Sequence, residues 1–125
     1  HENHAYQRVY WGGAAIALIA DLALREAGST LDAAMRHIQR CCADTQRVWP
    51  GEQVLRAMNE AGPAMATARL DLEALSGPIL RSAEFPELSA IYRKLGVVVV
   101  DGDPTLDESA PLAKIRRAIF TQPAP

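Results

Sequence analysis

Five groups of residues have types and spacings from which chemistry could be built. His1-Glu2-Asn3-His4 sets two imidazoles around a glutamate, but a zinc peptidase helix carries its histidines at i and i+4 with the glutamate between them as general base. One residue fewer turns the second imidazole by about 100° at 3.6 residues per turn, so this tetrapeptide reads as accidental. His37 and Cys41 do stand at i, i+4, and thiolate and neutral imidazole both ligate zinc. Two ligands do not complete a site, and a half-buried histidine beside a structural thiol is the expected state. Cys41 and Cys42 are adjacent, and neighbours in sequence meet disulfide geometry poorly, so two thiols are expected, one facing inward and one outward. Glu52 with Glu60, and Asp71 with Glu73, are formal carboxylate pairs that nothing in the sequence gathers into a cleft; they are expected at the surface. The fifth group is Tyr10-Trp11-Gly12-Gly13, a phenol and an indole followed by two residues without side-chain bulk.

The elements that must position these groups are mostly helical. From about Tyr6 to Glu26 no proline interrupts an Ala- and Leu-rich stretch, and Gly28 stops it. Its first half is apolar nearly all round, which predicts a buried helix with Tyr10 in the core beside Trp11 and Tyr6. Ser29 or Thr30 caps a second helix from Leu31 to about Ala43, with Asp32 in its first turn and Leu31, Met35 and Ile38 inward. A third runs from Glu52 to Ala61 with Val54, Leu55 and Met58 inward, ended by Gly62-Pro63. Met65 to Ser82 is helical in part, with Gly77-Pro78 expected to kink or split it. Phe85-Pro86 opens a short helix through about Lys94, ending at Gly96, with Leu88, Ile91 and Tyr92 inward. Val97 to Val100 is a β-type run ending at the turn Asp101-Gly102-Asp103-Pro104; its partner is either a short segment near Thr105-Leu106 or lies outside the chain. Pro111 to Phe120 is a terminal amphipathic helix, and after it comes a tail. The fold class is therefore mainly α: a single domain over 1–125, a bundle of five to six helices with one short strand or hairpin near Val97 to Val100.

Composition narrows the function classes. A chain of 125 residues that is 49% hydrophobic and 22% charged has the makeup of a folded globular domain. A formal net charge of -2 supplies no basic field for nucleic acid. The basic clusters Arg36 to Arg40 and Lys114 to Arg117 alternate with Ile38, Ile115 and Ile119, the pattern of a solvated helix face. The apolar run Val9 to Ala20 is too short to cross a bilayer and meets Asp21 and Arg25 at once. His1 to His4 has neither the basic region nor the cleavage site of a secretion signal.

Tyr10-Trp11-Gly12-Gly13 leading into an apolar helix, Asp21, Leu22, Leu24 and Arg25 at its end, Gly28, then Leu31 and Asp32 opening the next helix resembles the glycyl aminopeptidase family of gluzincin metallopeptidases, which often carry a PDZ domain. Phe85-Pro86 and Tyr92-Arg93-Lys94-Leu95-Gly96 resemble the next part of that family's chain, so the likeness spans about Tyr6 to Gly96. It implies that the family's HExxH helix and downstream glutamate lie before residue 1. It also implies that Tyr10 is catalytic, pointing its phenol at the tetrahedral intermediate; a phenol suits that task because it donates a hydrogen bond while neutral. Gly12 and Gly13 would let substrate approach the backbone.

On this reading the chain is the C-terminal helical subdomain of a zinc metallo-aminopeptidase. It would bind no metal and have no activity alone, zinc being the parent protein's cofactor. Its partners would be the upstream zinc-binding subdomain and a peptide substrate, with neither nucleic acid nor membrane; the exposed apolar face would equally serve a homo-oligomer. The alternative is a non-catalytic helical module whose apolar first helix docks onto another protein. A small nucleic-acid-binding bundle built on Arg36, Arg40, Arg47 and Arg116-Arg117 is a third reading, opposed by the net charge.

Overall fold

The computed structural model describes residues 2–42, 48–60 and 70–121, with side chains from residue 7 onward. The expectations placed on His1, on the side chains of His4 and Tyr6, on Arg47, on Gly62-Pro63 and on the tail from Gln122 lie outside those residues. Six helices and one hairpin are present among the described residues: α1 (Glu2–Glu26), α2 (Leu31–Cys41), α3 (Gly51–Asn59), α4 (Leu72–Arg81), α5 (Ser89–Leu95), β1 (Val97–Val100), β2 (Asp103–Leu106) and α6 (Ala113–Phe120). The mainly helical fold with a short hairpin is the one the sequence predicts. Chain contacts divide it into two units, His1–Pro86 and Glu87–Pro125.

In the first unit α1 ends where Gly28 takes φ 87° and Ser29 N–H reaches back to the Leu24 carbonyl at 2.8 Å. Thr30 caps α2, its Oγ1 accepting from Ala33 N–H at 3.0 Å. The corner between them is fixed by Asp21, whose Oδ1 accepts from Leu31 N–H at 2.9 Å while Oδ2 accepts from Arg25 Nε at 2.9 Å. Two ion pairs brace α3 against α4, a two-pronged Arg56–Glu73 contact at 3.0–3.1 Å and Arg81–Glu52 at 3.3 Å. Asn59 Oδ1 caps the start of α4 by accepting from Leu72 N–H at 2.9 Å. The core between the helices is Ala20, Leu24, Ala34, Leu55, Met58, Leu70 and Leu72.

Several expectations about the helices are corrected, and one of them is Tyr92, which is exposed on α5 and does not face inward. Met35 is exposed and Ala34 takes the inward place on α2. Of the kink or split expected at Gly77-Pro78, the split does not occur, because α4 runs through Pro78 to Arg81. Pro78 is exposed, and the carbonyl its missing N–H leaves unpaired belongs to Ala74, also exposed, so water can take that bond. The first half of α1 is not buried as a whole: Val9, Tyr10 and Trp11 are exposed, and the buried positions of α1 are Gly12, Ala15, Ala20, Leu22 and Leu24.

In the second unit α5 begins at Ser89, later than Phe85-Pro86 suggests, because the Glu87 carboxylate takes up Ser89 N–H at 2.8 Å and its hydroxyl. Gly96, at φ 80°, turns the chain into β1. Asp101 at φ 51° and Gly102 at φ 85° make the two-residue turn of a hairpin, the positive-φ pair such a turn needs. The strands pair antiparallel as Val97↔Leu106, Val98↔Thr105, Val99↔Pro104 and Val100↔Asp103. Beyond the hairpin, Leu112 N–H bonds the Lys94 carbonyl at 2.8 Å and brings α6 onto α5. Leu88, Leu95 and Ala113 are buried.

Among the described residues of this unit the buried polar group is Arg116, only 3% exposed, which corrects the reading of Lys114 to Arg117 as a wholly solvated face. Its Nη1 donates to the carbonyls of Leu95 at 2.7 Å, Asp107 at 3.2 Å and Gly96 at 3.4 Å, and its Nη2 donates to Glu108 Oε1 at 2.6 Å. A Cβ on Gly96 would meet the Asp107 carbonyl oxygen, the Ala110 Cβ at 2.7 Å and Arg116 Nη1 at 2.7 Å. Position 96 therefore has to be glycine on two counts, its positive φ and the guanidinium against it.

Candidate functional site

Tyr10 lies on α1 and is 61% exposed, and Trp11, 57% exposed, stands edge-on to it with ring centroids 5.1 Å apart and planes at 85°. This is a favoured geometry for an aromatic pair, the positive rim of one ring meeting the face of the other. With Val9 they form a run of three large apolar side chains in water. The α1 residues in or against the core of the first unit are Ile16, Ala20, Ala23 and Leu24, all further along the helix than this run.

What the described residues supply beneath this face is Arg8, a residue that no motif in the sequence singles out. Its Nε donates to the Ala83 carbonyl at 3.1 Å, and its Nη2 donates to those of Ser82 at 2.6 Å and Glu84 at 2.7 Å. The guanidinium thus ties the chain leaving α4 to the exposed half of α1. To get there the side chain crosses Gly12, where an added Cβ would strike Arg8 Nη1. The one sign of it in the sequence is an arginine four residues before a glycine, since i and i+4 share a helix face. Gly13 is exposed, and a Cβ there would meet nothing within 4 Å. Of the two glycines, Gly12 makes room for Arg8 and Gly13 faces open space.

The other candidate groups resolve into structural contacts. His37 Nε2 lies 3.2 Å from Glu60 Oε2. Cys41 and Cys42 are joined as a disulfide, with Cα atoms 3.7 Å apart, which corrects the expectation of two thiols. The bond closes where α2 ends, because Cys42 leaves helical geometry at φ −144°, ψ −14° and swings its side chain toward its neighbour's. In this state Cys41 has no thiolate to offer a metal beside His37. Glu52, Glu60 and Glu73 each face a cationic or imidazole partner, and Asp71 caps α4 by accepting from Ala74 N–H at 2.9 Å. Neither proposed carboxylate pair is a pair. Asp21 and Arg25, which carry part of the family likeness, hold the α1–α2 corner.

Among the described residues no group of three or more His, Cys, Asp or Glu side chains is placed to hold a metal ion, and no helix is long and apolar enough to cross a membrane. Of the arginines that could serve nucleic acid, Arg36 pairs with Asp32 at 2.7 Å, Arg117 with Glu108, and Arg116 is buried. The aromatic head of α1 over the Arg8 clamp is thus the candidate site that stands clear of structural duty. No family model, curated protein or solved structure matches the chain.

Proposed function

We propose that the chain is the helical subdomain located after the zinc-binding part of a metallo-aminopeptidase of the glycyl aminopeptidase type, with Tyr10 as the residue that meets the substrate. The observation that carries this reading is the placement of Tyr10. Its phenol stands in the open on a helix whose exposed half is fixed by Arg8, with Gly13 nearby and clear space above it. Zinc, which the described residues offer no site for, is assigned to upstream ligands, where it would polarise a peptide carbonyl. The contribution of this chain is a neutral O–H donated to the oxygen on which negative charge develops, an interaction stronger in the transition state than in the ground state. Trp11, edge-on to Tyr10, would limit the orientations the phenol samples.

The test is Tyr10→Phe in the longer protein that includes the upstream sequence. Turnover of an aminoacyl amide should fall about 10²–10³-fold, the cost of one oxyanion donor, with KM nearly unchanged. Unchanged turnover, or an upstream sequence without an HExxH helix, removes the assignment. The exposed run Val9-Tyr10-Trp11 favours a second reading, a docking helix for another protein. There Trp11→Ala would abolish binding of a partner and Tyr10→Phe would leave it intact, since the phenyl ring keeps the apolar contact.

A further inference from the structure

The register of the hairpin determines which of its backbone groups face outward. Asp107 N–H bonds the Gly96 carbonyl at 2.7 Å, which makes Gly96/Asp107 a hydrogen-bonded pair of the ladder. Such pairs alternate with non-bonded ones in an antiparallel ladder, so Val98/Thr105 and Val100/Asp103 are the bonded pairs. Val97 and Val99 therefore turn their N–H and C=O away from β2, onto the outer edge of β1. On the opposite edge the outward residues are Leu106 and Pro104, and Pro104 has no N–H to offer. The hairpin thus has one blunted edge and one competent edge. The competent edge is a run of four valines, with Val98, Val99 and Val100 all exposed and Val99 67% so. No hydrogen bond among the described residues engages its outward groups, and it lacks the charged or proline residues that normally protect such an edge.

Charge is divided between the ends of this strand. Arg93 and Lys94, both exposed, precede it; Asp101 and Asp103, both exposed, come after it. None of the four is in an ion pair among the described residues. A second strand of this composition laid antiparallel brings each acidic end to the other's basic end, whereas a parallel one sets like charges side by side.

We propose that the outer edge of β1 pairs antiparallel with β1 of a second copy of this chain, Val98 facing Val98 across a two-fold axis. In that register Val97 and Val99 of one copy form bonded pairs with Val99 and Val97 of the other, using strand residues only. Centring the axis on Val99 would require Asp101, which has left strand geometry at φ 51°. Asp101 of each copy then stands opposite Leu95 of the other, beside its Lys94. The interface is isologous, and it is independent of the peptidase reading and of the aromatic face of α1.

Sedimentation equilibrium of the full chain, combined with amide exchange, tests this. Dimer should form on raising the concentration from micromolar to millimolar, and exchange at Val97 and Val99 should slow in step with it. Exchange at Val98 and Val100, already bonded within the hairpin, should not depend on concentration. Val99→Pro removes two outward bonds per dimer, each worth a factor of about five, and should weaken association about 25-fold; the hairpin survives because position 99 donates nothing to β2. A chain that stays monomeric at millimolar concentration overturns the proposal, as does a dimer in which Val97 and Val99 exchange is concentration-independent. So does a Val99→Pro chain that associates as before, or a dimer abolished by Trp11→Ala alone. If Val99→Pro unfolds the hairpin, the exchange measurement on the unaltered chain decides.

Discussion

Each unit contains one arginine that collects backbone carbonyls beside a glycine, and the two differ in their access to water. Arg8 reaches Ser82, Ala83 and Glu84 across Gly12 at the surface of the first unit. Arg116 reaches Leu95, Gly96 and Asp107 against Gly96 in the interior of the second. A guanidinium at the surface exchanges carbonyl partners for water at little net cost, so its bonds contribute modestly. A buried one has lost its hydration, and every carbonyl it serves would be stranded without it. The same contacts therefore make a surface brace in one place and a keystone in the other.

The largest effect should come at Gly96. Gly96→Ala adds a left-handed residue cost of about 1–2 kcal/mol and overpacking of about 1–3 kcal/mol, comparable to the whole stability of a unit of fewer than about 40 residues. Loss of protection at Val98 and Val100 amides, with α1–α4 unaffected, is the expected exchange pattern; a protected hairpin in Gly96→Ala would break the comparison. Arg116→Met should cost about 3 kcal/mol in denaturant unfolding of the hairpin unit. Arg116→Lys should rescue little of it, because an ammonium cannot reproduce the planar fork.

Arg8→Ala should cost only about 1 kcal/mol, and the loss should shrink no further in high salt, since the partners are carbonyls and not ions. A cost equal to that of Arg116→Met would erase the distinction between the sites. Gly12→Ala sharpens it. The new methyl displaces Arg8, losing about 1 kcal/mol, while alanine returns about 1 kcal/mol of helix propensity. The single substitution should be close to neutral, but in an Arg8→Ala background it should stabilise by about 1 kcal/mol.

The smallest effect is acid-dependent and belongs to the hairpin unit. The Ser109 hydroxyl, donating to Asp107 Oδ1 at 2.6 Å, and Ser109 N–H at 2.9 Å hold the Asp107 carboxyl below its ordinary pKa, with Arg116 adding to the effect. A carboxylate whose folded pKa is depressed contributes stability above its unfolded pKa. That contribution disappears as pH falls through the folded value, so it is lost below about pH 4. The carboxyl carbon shift of Asp107 should titrate below that of an aspartate in a peptide, and Ser109→Ala should move the midpoint up.

Local rules made the fold legible. Gly28, a cap at Ser29 or Thr30, the valine run and a turn beginning at Asp101-Gly102 name their elements, because each is a constraint on one stretch of backbone, although Asp103-Pro104, read as part of the turn, belongs to β2. Arg116 is harder to read because its meaning is tertiary. Its place on the stripe Leu112, Ala113, Arg116, Ile119 puts it inward, yet basic neighbours on both sides disguise that. The aromatic head of α1 misleads in the opposite direction: Val9, Tyr10 and Trp11 are apolar enough for a core, and nothing local tells how far the neighbouring helices extend. For the candidate site, Tyr10, Gly12 and Gly13 stand out by type. Arg8, which fixes the surface they share, is hidden because its acceptors are backbone carbonyls some 75 residues away.

Pro104 also bears on stoichiometry. A sheet that can grow from both sides has no natural end, and each added strand offers the next a template. A hairpin whose second strand has lost one of its two outward donors, with only Leu106 still offering an N–H, extends less readily on that side, so a neighbour that joins at β1 presents the same blunted flank outward. Addition at that flank is disfavoured, and a single imino acid biases the sheet toward a bounded assembly and away from a fibre.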